Sequence, residues 1–233
     1  MLFCNVYCLL ISRAHSSTDP IPGGDIAKIG GEAYKKSFVQ PFTLANNARL
    51  LSEFTSSYKD KLEERFESHS FCIYTLISNY NKLSRRSIGL IKSECGYDSA
   101  TQLYLGATEA DRPDILSLVA ATRSRQEKIP QEMKDSKESV RSSISDVIAN
   151  NLQGKVFNEA ANKFIATNIS KKIKNSLKDL KCRYTIGTII LEASVEYIDN
   201  VVNTPGQDVE VIHVTYKNEE FNIAVFIAFV SLS

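Results

Sequence analysis

His213 is the residue whose type and setting best suit chemistry. It sits in VEVIHVTYK, where alternation places it with Val209, Val211 and Thr215 on one face of a strand, and Tyr216 and Lys217 lie close by. An imidazole titrates near neutrality, so a strand-borne His beside Thr, Tyr or Lys could act as general acid or base, as in metal-independent RNA cleavage. A single His in a half-buried strand serves equally well as a hydrogen-bonded structural residue.

Other catalytic templates break at identifiable positions. A restriction-type nuclease hairpin needs an acid on one strand and an acid-x-Lys on the next. Asp208 could supply the first, but Asn222 to Leu232 contains neither acid nor lysine. Arg65 and His69 stand too close together for the Arg–His spacing of helical ribonucleases. No nucleophile elbow, Walker loop, H-E-x-x-H or EF-hand loop occurs. Cys4 and Cys8 would share a helix face with His15 nearby, yet no second Cys/His pair completes four ligands. Glu192, Glu196 and Asp199 would form one acidic helix stripe, too few ligands for a divalent ion. No metal and no cofactor is expected.

Charge supplies a second candidate. The formal total is +1, but residues 155–183 carry a net +6 and residues 184–233 a net −6. Lys171, Lys174, Lys178 and Lys181 recur at intervals of three and four, lining one face of a helix. Ile165, Ile169, Ile173, Leu177 and Leu180 line another. Such a helix can bind an acidic partner, lie on an anionic membrane or track phosphates. No aromatic residues interleave with these lysines for base stacking, which disfavours nucleic acid. Alternatively the apolar stripe faces the chain's own core and the lysines are solvated.

These candidates need elements to hold them. The 233 residues suffice for one large or two small domains with a core that needs no staples. Hydrophobic residues at 43% and charged residues at 24% exclude wholesale disorder, a collagen-like repeat and a multi-span membrane protein. The five scattered cysteines form no disulfide framework, which suits a reducing compartment. Leu2 to Ile11 is too short to span a bilayer and lacks a basic n-region, so no signal peptide is expected. The expected location is the cytoplasm, or a host compartment if the chain is delivered as an effector.

Along the chain, residues 1–40 read as an arm or linker, with turn punctuation at DPIPGG and Gly30-Gly31. Residues 41–181 read as a helical bundle region. Apolar residues from Leu51 to Ile91 average a spacing near 3.6 if His69 and Ser87 fill two turns, predicting a long helix over about 43–95. Such a helix, about 75 Å long at 1.5 Å per residue, exceeds the roughly 45 Å diameter of a compact globule of this length. It therefore projects as a rod or breaks near Ser68–Ser70. Three further helices follow, over about 111–128, 131–152 and 155–180. Residues 182–203 fit either a helix or strands. A hairpin then joins Asp208–Tyr216 to Phe221–Leu232, whose second strand is apolar on both faces and requires cover. No internal repeat is visible.

The expectation is an α+β protein: a mainly helical body followed by a C-terminal β-hairpin segment over 182–233. Its expected function is non-enzymatic protein–protein binding or assembly through long amphipathic helices, with a protein partner or self-association. One alternative is a membrane-active toxin or effector that uses the basic helix and the apolar C-terminal strand. The other is a small toxin-like ribonuclease with His213 as general acid or base.

Overall fold

The structure is a computed structural model that describes residues 6–15, 21–38, 44–78, 87–92, 99–107, 114–123, 136–179, 182–203 and 209–231. The chain is α+β, and the described residues form four helices and nine strands. In order these are β1 (Val6–His15), α1 (Gly23–Ser37), α2 (Leu44–Arg65), β2 (His69–Ser78), β3 (Ser87–Lys92), β4 (Ser99–Ala107) and β5 (Asp114–Arg123). Then come α3 (Lys137–Leu152), α4 (Glu159–Ser176), β6 (Cys182–Glu192), β7 (Tyr197–Asn203), β8 (Val209–Lys217) and β9 (Phe221–Ser231).

Several sequence expectations are corrected. The chain does break near Ser68, but a strand follows the break. α2 ends at Arg65, Phe66 to Ser68 make a turn, and β2 begins at His69. His69 and Ser87, the two residues needed to keep a helical period, mark the starts of β2 and β3. The misreading has a physical source: Ser70 to Ser78 are all buried. A strand covered on both faces reads as a continuous apolar run, which periodicity alone cannot separate from a buried helix. The same holds for β5, expected as a helix over 111–128, where Asp114 to Ala121 are all buried. The described residues within 41–181 thus form a mixture of helices and strands, not a helical bundle. The arm expected over 1–40 contains β1 and α1, with Gly30 and Gly31 inside the helix. Residues 182–203 are strands, which separates Glu192 from Glu196 and Asp199 instead of aligning them on a helix. The hairpin of β8 and β9 stands where expected, and β6 gives β9 its second neighbour.

Two compact units emerge, each assembled from three stretches of chain: 1–84, 98–124 and 196–205 in the first, 85–97, 125–195 and 206–233 in the second. The first holds a sheet ordered β7-β2-β5-β4-β1 and the second a sheet ordered β3-β6-β9-β8, with all pairings antiparallel. Written this way, four strands of each sheet correspond, and a repeat hidden in the sequence becomes visible. The element order helix-helix-strand-strand-strand-strand runs once from α1 to β5 and again from α3 to β9. In both, the first strand pairs with the fourth and the fourth with the third. The second strand, β3 or β7, completes the sheet of the other repeat.

Side chains bear out the correspondence. On α2, Asn47, Leu51, Phe54, Thr55, Tyr58 and Leu62 are buried; on α4, Asn162, Ala166, Ile169, Ser170, Ile173 and Leu177 are buried at identical spacing. Asn47 and Asn162 are each the fourth residue of their helix, and neither amide has a hydrogen-bond partner among the described residues. Each helix covers a matching strand, Phe71-x-Ile73-x-Thr75-x-Ile77 in one unit and Tyr184-x-Ile186-x-Thr188-x-Ile190 in the other. Ser170 and Thr188 hydroxyls hydrogen-bond at 2.7 Å across the second of these contacts.

Local chemistry fixes the ends of these elements. The Asn158 side chain accepts from the Ala161 amide at 3.1 Å and caps α4, whose first turn also carries Glu159. Asn218 Oδ1 accepts from the amides of Glu220 (3.0 Å) and Phe221 (2.7 Å), closing the β8–β9 turn. Gly89 of β3 is required by close approach: a Cβ there would meet the Ala166 backbone carbonyl carbon of α4 at 3.0 Å.

Candidate interaction surface

α4 is the element on which the charged and apolar candidates meet. Its apolar stripe is spent within its own unit: Ile165, Ile169, Ile173 and Leu177 are buried in the core with β6 and β9. At 100° per residue, the opposite side of the helix is centred on Phe164, with Asn168, Lys171 and Asn175 in line above it. Phe164 is 69% exposed, and Val156, just before the helix, is 67% exposed. Lys155, Lys163, Lys171, Lys172 and Lys178 are all exposed along this stretch. Lys171 lies two turns from Phe164, about 10 Å along the axis.

Of the lysines singled out in the sequence, Lys171 and Lys178 are exposed and Lys174 is half-buried; Lys181 lies outside the described residues. Lys171 and Lys174 are on the helix proper, and Lys178 follows in the turn after Ser176. Phe164 and Val156 were missed by sequence reasoning. The available signal was phase: Phe164 stands one residue off the Ile165-Ile169-Ile173 stripe, which turns it outward.

The corresponding face of α2 is ordinary. Arg49 occupies the position of Phe164 and pairs with Glu53, the counterpart of Asn168, at 2.9 Å with both side chains mostly exposed. A groove of about 500 Å³ between α1 and α2 is lined by Asp25, Lys28, Glu32, Lys61, Glu64 and Arg65. Its three acids and three bases cancel, so it favours neither sign of ligand.

His213 is half-buried on β8, with Phe226 directly across on β9. Val211 and Thr215 share its face, as the alternation implied, whereas Tyr216 packs on the opposite, helix-covered face. The C-terminal strand proposed for membrane insertion is the interior strand β9, buried from Phe221 to Phe229. Cys8 sits on a strand, not on a helix face, and Cys4 lies outside the described residues. Among the described residues no group of three or more His, Cys, Asp or Glu side chains is placed to hold a metal ion.

One further polar cluster lies in the first unit. The buried Tyr74 hydroxyl donates to Asp199 Oδ2 at 2.9 Å across the β2–β7 pairing. Burial first, then the Asp199 charge, raise the Tyr74 phenol well above its ordinary range, and the same two causes raise Tyr197. The cluster keeps both phenols protonated, which lets Tyr74 donate to the carboxylate. Burial also pushes the Cys72 thiol up, which makes it a poor nucleophile.

No family model and no curated protein matches this chain. Among the described residues, no helix is long and apolar enough to cross a membrane.

Proposed function

We propose that this protein is a non-enzymatic binding module whose contact surface is the outward face of α4, and that its partner is an acidic protein segment carrying an apolar anchor residue. The observation that carries this reading is Phe164. An exposed aromatic side chain amid lysines offers both parts of a binding hot spot, an apolar anchor and a charged surround. The matching position of α2 holds Arg49 in a surface ion pair, so the repeat itself does not demand an aromatic residue there.

The lysines steer an acidic chain and set its orientation, while Phe164 and Val156 supply the apolar contact that long-range charge cannot. The charged face is separate from the buried stripe, so binding requires no unfolding of the core. His213 chemistry ranks behind this reading because Phe226 across the pairing and Val211 on its own face are apolar, and Tyr216 lies on the opposite face.

The test is a panel of synthetic peptides: acidic with one phenylalanine, acidic without it, and neutral with it. The first should bind best, weaken as salt rises, and lose about 10- to 100-fold in affinity for Phe164→Arg. Arg49→Phe should not alter it. Equal binding to all three peptides, or indifference to Phe164→Arg, overturns the proposal. Binding only to anionic vesicles, lost in Phe164→Arg, would move the same surface to a membrane role.

A further inference from the structure

The repeat shows what surrounds a lysine when its partners lie in its own helix. In the first unit Lys59 of α2 has its Nζ 2.9 Å from Glu63 Oε2 and 3.1 Å from Asp60 Oδ1, with its side chain only 7% exposed. Its counterpart on α4 is Lys174, and the residues around it have changed in one direction. Asn175 stands for Asp60 and Lys178 for Glu63, just as Asn168 stands for Glu53. From Lys163 to Lys178 the chain carries five lysines and no acid; Glu159 precedes the stretch and Asp179 follows it.

The lysine is thus kept while both of its intrahelical carboxylates are replaced. Lys174 is half-buried and enters no ion pair among the described residues. Lys171 and Lys178, about one turn to either side of it, are exposed. Like charges at such spacings repel, so a carboxylate brought in from outside gains two attractions and relieves a repulsion.

We infer that the acidic partner segment places a carboxylate between Lys174 and Lys178, as Glu63 places one beside Lys59 in the first unit. The site extends the α4 contact surface proposed above, on which it rests, and it gives the partner a spacing. Lys174 stands ten residues beyond Phe164, about 15 Å along the helix axis and about 80° round it. An acidic chain repels itself and stays extended. At about 3.3 Å per residue, such a chain covers the axial distance in about five residues. The partner therefore carries Asp or Glu about five residues from its apolar anchor.

The test is a set of otherwise neutral synthetic peptides, each with one phenylalanine and two adjacent glutamates placed two, five or eight residues from it, in both chain directions. Affinities are measured by calorimetry against wild type, Lys174→Gln and Phe164→Arg. The five-residue spacing should bind best in one direction. Lys174→Gln should weaken that peptide about 3- to 10-fold and leave the two-residue peptide unchanged. Exchanging the glutamates for glutamine should abolish the effect of Lys174→Gln, as a double-mutant cycle requires. If Lys174→Gln fails to fold, the wild type decides: glutamine exchange must weaken the five-residue peptide most. Equal affinity at all three spacings, or indifference of the five-residue peptide to Lys174→Gln, overturns this site and leaves a Phe164-dependent surface standing. Binding by none of the peptides overturns both.

Discussion

In α2, Leu51 stands where α4 carries Ala166, and the strand beside each helix differs in the same sense. Asn200 faces Thr75 in register in the first unit, and Gly89 faces Thr188 in the second. The second unit thus draws its helix onto the sheet with the smallest residues available, until a Cβ at Gly89 would touch backbone. The first unit keeps larger side chains at the same places. Both bury the same six helix positions, so one architecture tolerates different side-chain sizes at its helix–sheet contact. The outward faces diverge further, Arg49 and Glu53 in an ion pair on one side, Phe164 and Asn168 on the other. Inward positions answer to the shared core, whereas outward positions are free to acquire separate roles.

The comparison can be broken at the core. Phe54 and Ile169 are equivalent and fully buried. Phe54→Ala should cost about 3–5 kcal/mol and Ile169→Ala about 2–5 kcal/mol in urea unfolding. A negligible cost for either would end the claim that these helices are counterparts. Tyr74, whose counterpart is Gly187, comes next. Tyr74→Phe leaves Asp199 without this donor and should cost about 1.5–3 kcal/mol at neutral pH. Because the folded-state phenol titrates above its ordinary value of 10.0, the unfolded chain gives up that proton first. Stability is therefore full below pH 10 and falls as pH rises beyond it, and Tyr74→Phe should flatten that alkaline decline.

Gly89→Ala sharpens the packing contrast. It should destabilise by about 1–3 kcal/mol, because the atoms it meets belong to the helix backbone and cannot rotate away. Asn200→Ala, at the counterpart, meets no such demand. Smallest of all, Arg49→Ala should change stability by about 0–0.5 kcal/mol, since an exposed i,i+4 pair is screened by water. Thermal melting would check it.

The sequence made some of this legible and hid the rest for physical reasons. α4, its buried isoleucines and the β8–β9 hairpin could be read because one face differs in polarity from the other or because turn residues punctuate the run. β2 and β5 could not, since burial of both faces erases the alternation that identifies a strand. The repeat was obscured because the matching residues keep size and burial more than identity, as Thr55 with Ser170 and Phe54 with Ile169 do. Of the candidate surface, the lysines are legible as charge, whereas the exposure of Phe164 follows only from its phase on the helix, one residue off the buried stripe.

The exchange of β3 and β7 between sheets has a consequence for biosynthesis. β2 emerges from the ribosome early, but its neighbour β7 is encoded more than seventy residues after the end of β5. At roughly 5–20 residues per second, that delay is on the order of 4–15 s. Throughout it, the nascent first half holds an apolar strand with one unpaired margin. The newborn polypeptide must be shielded for that interval, and its two halves mature together rather than in sequence.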